Sequence, residues 1–367
     1  MTSRGSATRA ARVARVALAA PLVALLLAGC SSSDDGAGSE GTAASPSSTL
    51  ASETTTVPAD GCDAPRSAGV AAPSTFAVGR QTRTFVDPSR PTDADDVRGL
   101  PAAADRTLAV SVLYPAAGTP GAPGEFVQDA EAAEGEFPLV VYSHGVLSSG
   151  TERNDTLARW ASAGYVVVAP TFPLSSGPGA RIFDLPNQPG DVVFVTESLR
   201  GAVADPSDPL HGVVAGECLA LAGHSLGGAT TLATAFDPCC GQLDVRAVID
   251  VAGVLLQVTP GASLSEAAPI PTMIVHGVED PLVGYEQGQR AFAELTGPRW
   301  LVTLHGADHN SMFVAPESAA LDASALALLD AELKDDPRGL DALPDTLAAL
   351  DASGAFDVTL ESAGPTG

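Results

Sequence analysis

The chain has 367 residues, of which 45% are apolar and 17% charged, and a formal net charge of −25. That is enough apolar material to bury a sizeable core in one catalytic domain. The excess of acid disfavours nucleic acid as a partner, because phosphate backbones are held by basic surfaces, and it selects no substrate by itself.

Residues 1–29 read as an export signal: Arg4, Arg9, Arg12 and Arg15 flank or precede an apolar run, Val16 to Gly29, too short to span a bilayer comfortably. The run ends Leu27-Ala28-Gly29-Cys30, which resembles a bacterial lipobox. The resemblance implies cleavage before Cys30 and a diacylglycerol on its sulfur. The expectation is an exported protein, anchored by lipid to the outer face of the bacterial cell membrane. Ser, Thr, Gly, Ala and Pro dominate the residues that follow and cannot bury enough apolar surface to order themselves. Residues 30–70 are therefore expected to be the lipidated cysteine and a flexible tether, and residues 71–367 the catalytic domain with a C-terminal helical tail.

Cys62, Cys218, Cys239 and Cys240 form an even set in an exported chain, which favours two disulfides over metal ligation or redox catalysis. A bond between the adjacent Cys239 and Cys240 would strain the backbone. Cys218 is thus expected to meet one of them and Cys62 the other.

Further along, β-branched runs at Thr107–Tyr114, Leu139–Ser143, Tyr165–Pro170, Leu219–Gly223, Arg246–Val251, Thr272–His276 and Trp300–Leu304 read as strands. Between and after them, Arg153–Ala163, Asp191–Leu199, Leu226–Phe236, Glu286–Leu295 and Ser318–Leu333 read as helices. Such alternation predicts an α/β fold: a mostly parallel central sheet with helices on both faces. Ala116–Glu136 and Leu174–Gly190 are rich in Gly and Pro, and the second lies beyond a strand end, where such sheets bind ligands. A helix at Leu340–Leu350 and an extended piece at Phe356–Leu360 follow, with no role derivable from pattern.

Gly223-His224-Ser225-Leu226-Gly227 fits G-x-S-x-G, directly after an apolar strand and before a small-residue helix. Glycines on both sides leave room for the sharp turn that presents Ser225. A serine hydroxyl needs a general base, and the base needs a carboxylate to fix its tautomer. His309, in the loop Gly306-Ala307-Asp308-His309-Asn310, supplies the base. Asp280, just past the strand ending at His276, supplies the acid, with Glu279 and Asp250 as competitors. His211 and His305 suit structural hydrogen bonds, and no metal-ligand spacing is evident. The oxyanion needs two N–H donors: Leu226 after the nucleophile, and Val146 in Ser143-His144-Gly145-Val146, with Leu147 as the register alternative. Val254-Leu255-Leu256 suits either an acyl-pocket wall or plain core.

Arg106–Pro115, Phe137–Gly145 and Gly223–Gly228 together resemble the platelet-activating-factor acetylhydrolase-like and dienelactone-hydrolase-like enzymes of the α/β-hydrolase fold. Asp191–Leu199 resembles the helix those enzymes place ahead of the nucleophile strand, and Val78-Gly79 their lead-in. The resemblance implies an α/β-hydrolase fold and a cofactor-free serine carboxylic-ester hydrolase; the group's substrates range from short acyl esters and lipids to polyesters, so it selects none of them, and a monomer is expected. It departs from the dienelactone enzymes in having Ser225 rather than Cys, and from bacterial polyester hydrolases in having Leu226 rather than Met. Acyl transfer with the same triad, or a non-catalytic ligand-binding lipoprotein, are the rival readings.

Overall fold

The computed structural model describes Cys62, residues 75–241 and residues 243–366. The expected signal, the lipidated Cys30 and the tether, Cys62 apart, lie outside the described residues. All described residues fall in one compact unit, Pro58–Gly367.

Ten strands form a single sheet: β1 Ala77–Asp87, β2 Arg106–Ala116, β3 Val127–Gln128, β4 Phe137–Ser143, β5 Val166–Thr171, β6 Val214–His224, β7 Val245–Val251, β8 Thr272–Gly277, β9 Arg299–His305 and β10 Asp357–Ala363. Their order across the sheet is β10-β9-β8-β7-β6-β4-β5-β2-β1-β3. The run from β5 through β4 and β6 to β9 is parallel. β2 pairs antiparallel with β1 and β5 at one end, and β10 with β9 at the other. The strands predicted from β-branched runs are all present. β1 went unread as a strand because Arg80 to Thr84 are five consecutive polar residues, without the apolar run of a buried strand.

The helices are α1 Asn154–Ser162, α2 Gln188–Val203, α3 Leu226–Phe236, α4 Glu286–Glu294, α5 Ser318–Lys334, α6 Arg338–Asp341 and α7 Leu343–Ala352. Leu157 and Trp160 of α1 share one buried cluster with Leu321 and Leu328 of α5 and with Leu343 of α7. Val195 and Leu199 of α2, Leu232 and Phe236 of α3, and Ala291 of α4 belong to a cluster on the opposite face. Helices thus cover both faces of the sheet, as parallel strands buried on both sides require.

The disulfides correct the sequence expectation. Cys62 bonds Cys218, with Cα atoms 5.1 Å apart, and Cys239 bonds Cys240. The reason is the pleat of β6. Cys218, Ala220 and Ala222 alternate onto the α1/α5 face, whereas α3, which leads into Cys239, packs its Leu232 and Phe236 on the other. Cys218 therefore points away from the adjacent pair, which is left with itself.

Candidate active site

β6 ends at His224 and α3 begins at Leu226, so Ser225 alone makes the turn. Its backbone sits at φ 58°, ψ −119°, a conformation costly for any residue with a side chain. Two glycines make the turn possible. A Cβ on Gly223 would run into the Gly227 carbonyl, and one on Gly227 into the Ser143 carbonyl of β4. The turn is held by hydrogen bonds: the Ser225 amide donates to the Val251 carbonyl at 3.0 Å, and the Gly228 and Ala229 amides donate to the Ser225 carbonyl at 3.0 and 3.2 Å.

Asp280 and His309 come from the loops after β8 and β9, neighbouring parallel strands whose carboxyl ends share an edge with the turn at Ser225. His309 Nδ1 and Asp280 Oδ2 are 2.6 Å apart, and both residues are buried. The other Asp280 oxygen accepts from the amides of Leu282 and Val283 at 2.8 and 2.9 Å. Burial pushes the Asp280 carboxyl up, but contacts with His276 and His309 and the two amides outweigh it and hold it well below the usual carboxylate range. It is an anion beside an imidazole whose Nδ1–H it can orient. Glu279, its sequence competitor, is exposed.

His224 plays a part that no motif signals. Its Nε2 donates to the His309 carbonyl at 2.9 Å, and its ring lies 4.6 Å from the His309 ring and 4.8 Å from Phe313. Burial holds its imidazole well below its ordinary value. A neutral His224 therefore pins the loop carrying His309 beside the residue that follows it in sequence, Ser225.

Gly145 brings β4's loop against the turn: a Cβ there would stand 3.2 Å from the Ser225 Cβ. His144 shapes this loop, its Nδ1 donating to the Gly145 carbonyl at 2.7 Å while its Nε2 accepts from the Phe172 amide at 3.0 Å. Burial pushes its imidazole down to about 4, so it is neutral. Of the two candidate donors in this loop, the Leu147 amide is spent on the Ser175 carbonyl at 2.8 Å. The Val146 amide has no backbone acceptor among the described residues. Leu226, as the first residue of α3, has no intrahelical acceptor for its own amide.

Leu226 and Ala229 pack with Leu185, and Val146, Val254 and Val258 close around them. This apolar wall stands beside the turn and includes one residue of the 174–190 segment and one of the 254–256 run. Leu255 and Leu256 instead flank an open cleft of about 280 Å³ against Leu232 and Phe236, lower on α3. Among the described residues, the one group with metal-ligand spacing is Asp237, Cys239 and Cys240. Its sulfurs are bonded to each other, and the Asp237 oxygens accept from the Cys239, Val258 and Thr259 amides at 3.0, 3.1 and 2.8 Å. The donors are thus engaged in holding a turn.

A ferulic acid esterase from Streptomyces cinnamoneus, solved at 2.4 Å resolution, matches over 74% of this chain and 94% of its own, with 24% sequence identity and a TM-score of 0.51. The chain has the α/β-hydrolase fold. A family model described as Chlorophyllase matches residues 112–260, a span that contains Val146, Ser225 and Leu226 and stops before Asp280 and His309. No curated protein matches. On this α/β-hydrolase scaffold the sequence-predicted Ser225, Leu226, Val146, Asp280 and His309 all lie in the turn and loops of one sheet edge, with Asp280 and His309 in direct contact. Cys239 and Cys240 lie away from it at the far end of α3, and Cys218 lies near the start of β6.

Proposed function

We propose that this protein is a serine carboxylic-ester hydrolase. The observation that carries the reading is the buried 2.6 Å contact between His309 Nδ1 and Asp280 Oδ2, set on the same edge as a serine held at φ 58°. The Chlorophyllase match and the ferulic acid esterase neighbour support ester hydrolysis as the reaction class.

In this reading Ser225 Oγ attacks the ester carbonyl and His309 Nε2 takes its proton. Asp280 holds the imidazole by its Nδ1–H and stabilises the cation that forms. The Val146 and Leu226 amides receive the oxyanion. His309 then protonates the departing alcohol, leaving an acyl group on Ser225. Water, activated by the same histidine, releases the acid and restores the hydroxyl. No cofactor is needed for any of these steps.

The substrate proposed is an apolar acyl ester or lipid met outside the cytoplasm, by a protein tethered through Cys30. Leu185, Leu226, Val254 and Val258 offer an acyl group an apolar wall. Around them, loops at the carboxyl edge of the sheet expose large apolar side chains: Leu147, Phe183 at 69%, Leu282 at 72% and Val314 at 61%. Exposed apolar residues gathered on the loops of one edge suit a substrate presented from an apolar phase.

The test is turnover of p-nitrophenyl esters from acetate to palmitate, with methyl ferulate beside them, by the wild type and by Ser225→Ala and His309→Ala. Rates that collapse in both variants support the esterase, and the chain-length optimum ranks the acyl groups. A folded wild type that turns over none of them, and that no organophosphate labels, overturns it in favour of a binding protein.

A further inference from the structure

Behind the Asp280–His309 pair the sheet buries two more titratable groups that ester hydrolysis, as set out above, does not use. Asp250 of β7 is wholly buried, and neither carboxylate oxygen has a hydrogen-bond partner among the described residues. His276 of β8 is also wholly buried. Its Nε2 donates to the Val283 carbonyl at 2.9 Å and lies 3.6 Å from Asp280 Oδ2, while its Nδ1 has no hydrogen-bond partner. Asp250 is in register with Ile274, so His276, two residues on, lies diagonally across from it on the same face of the sheet.

The sequence has cleared space for both groups. A Cβ on Gly228 of α3, or on Gly253, would collide with Asp250 Oδ1, and one on Gly288 of α4 would come within 2.8 Å of His276 Nδ1. A lone buried carboxylate with no donor is costly, and so is a lone buried imidazolium. Facing each other diagonally across the two strands, such charges would offset each other's cost through space, without a direct hydrogen bond. Burial pushes the Asp250 carboxyl up to about 6, against the pull of the His276 charge and the Gly253 amide, which stops short of hydrogen-bond geometry. Burial pushes His276 down, but Asp280, the Val283 carbonyl and Asp250 outweigh it and leave the imidazole above its ordinary value. The titratable groups facing His276 are Asp250 from β7, and Asp280 and Tyr285 from the segment after β8, the Tyr285 ring lying 5.8 Å away. From α4 it meets Gly288, and on β9 it is in register with Thr303.

We propose that Asp250 and His276 form a buried carboxylate–imidazolium pair, and that His276 is the positioning residue that fixes Asp280 against His309. The pair's effect on catalysis rests on the esterase reading; its existence does not. A cation on His276 offsets part of the Asp280 charge felt by the base, so its loss lets the base keep its proton to higher pH.

Two measurements test this on the full chain. In protein carrying ¹⁵N-histidine, nuclear magnetic resonance should find both His276 ring nitrogens protonated at pH 7, and a neutral imidazole in Asp250→Asn. In esterase assays the acid limb of kcat/KM should move to higher pH in Asp250→Asn and in His276→Gln, and His276→Gln should lower kcat about tenfold with KM little changed. The near-isosteric Asp250→Asn keeps the test open if His276→Gln fails to fold. A neutral His276 in the wild type overturns the pair, whatever the ester assay shows. A charged His276 with an unmoved acid limb in the folded variants overturns the positioning role. A wild type without esterase activity but with a charged His276 removes the esterase reading and leaves the pair standing.

Discussion

At Ser225 the backbone conformation is set by the residues around it, so the hydroxyl can be removed without disturbing the turn. Ser225→Ala should stay folded and lose turnover by a factor on the order of 10⁴ or more, together with organophosphate labelling read by intact-protein mass. Asp280→Asn keeps the shape but offers His309 the wrong partner. A loss in kcat on the order of 10⁴ is expected there, with KM little altered. Asp250 gives a stability prediction of definite sign. Burial outweighs the pull of the His276 charge and leaves the Asp250 carboxyl raised from 3.8 to about 6, so its ionisation still costs the fold stability. This penalty is absent below pH 3.8 and complete above pH 6. Asp250→Asn should therefore match the wild type in urea unfolding at low pH and exceed it at pH 8. Ser225, its flanking glycines, Asp280 and His309, which the structure gathers at one sheet edge, could all be picked out in the sequence because each sits at a strand end in a local pattern. His224 and His276 were not, since what they touch lies 85 and 7 residues away and belongs to no short motif.

Among the elements, β2 is tied to α2 and to the segment before it by a buried charge cluster. Arg106 contacts Asp191 through its Nε and Asp184 through Nη2, each at 2.6 Å, and Arg90 adds a contact to Asp191 at 2.9 Å. Arg106→Met would leave buried Asp184 without a charge partner and buried Asp191 with Arg90 alone, and should cost about 3 kcal/mol, measured by thermal unfolding. Because Leu185 lies between those aspartates, KM for long-chain esters should rise as well. The Cys62–Cys218 bond closes 156 residues of chain. Cys62→Ser should lower stability by about 2–5 kcal/mol in denaturant while leaving kcat for acetate esters alone. Central strands and most helices were legible because apolar runs and helical spacing report burial directly. The disulfide pairing was not, because it turns on which face of β6 each residue takes. Against β4 the pairing of that strand jumps from Ala215 to Leu219 as β4 moves from Pro138 to Leu139, so Cys218 sits in an irregularity that simple alternation does not foresee. β1 escaped notice for the opposite reason: only Gly79 and Arg80 have the short β3 outside them, and a strand so little covered need not be apolar.

The whole molecule combines a strongly acidic net charge with an apolar rim at one edge of its sheet. Acid-rich surfaces are repelled by anionic membranes, so binding through the rim should favour zwitterionic over anionic vesicles. Flotation assays on the soluble catalytic domain would show this, and Phe183→Ser with Leu282→Ser should abolish it while leaving acetate hydrolysis intact. The order of the parts along the chain has a consequence of its own. His224 reaches the His309 carbonyl across 85 residues, so the nucleophile turn is synthesised well before the base that would activate it. In the exported esterase proposed above, a nascent chain, or one kept unfolded for passage across the membrane, would carry an inert serine among ester-bearing lipids. On that reading reactivity would arrive only once the last loops are folded over the sheet edge, which makes folding itself the step that arms the molecule.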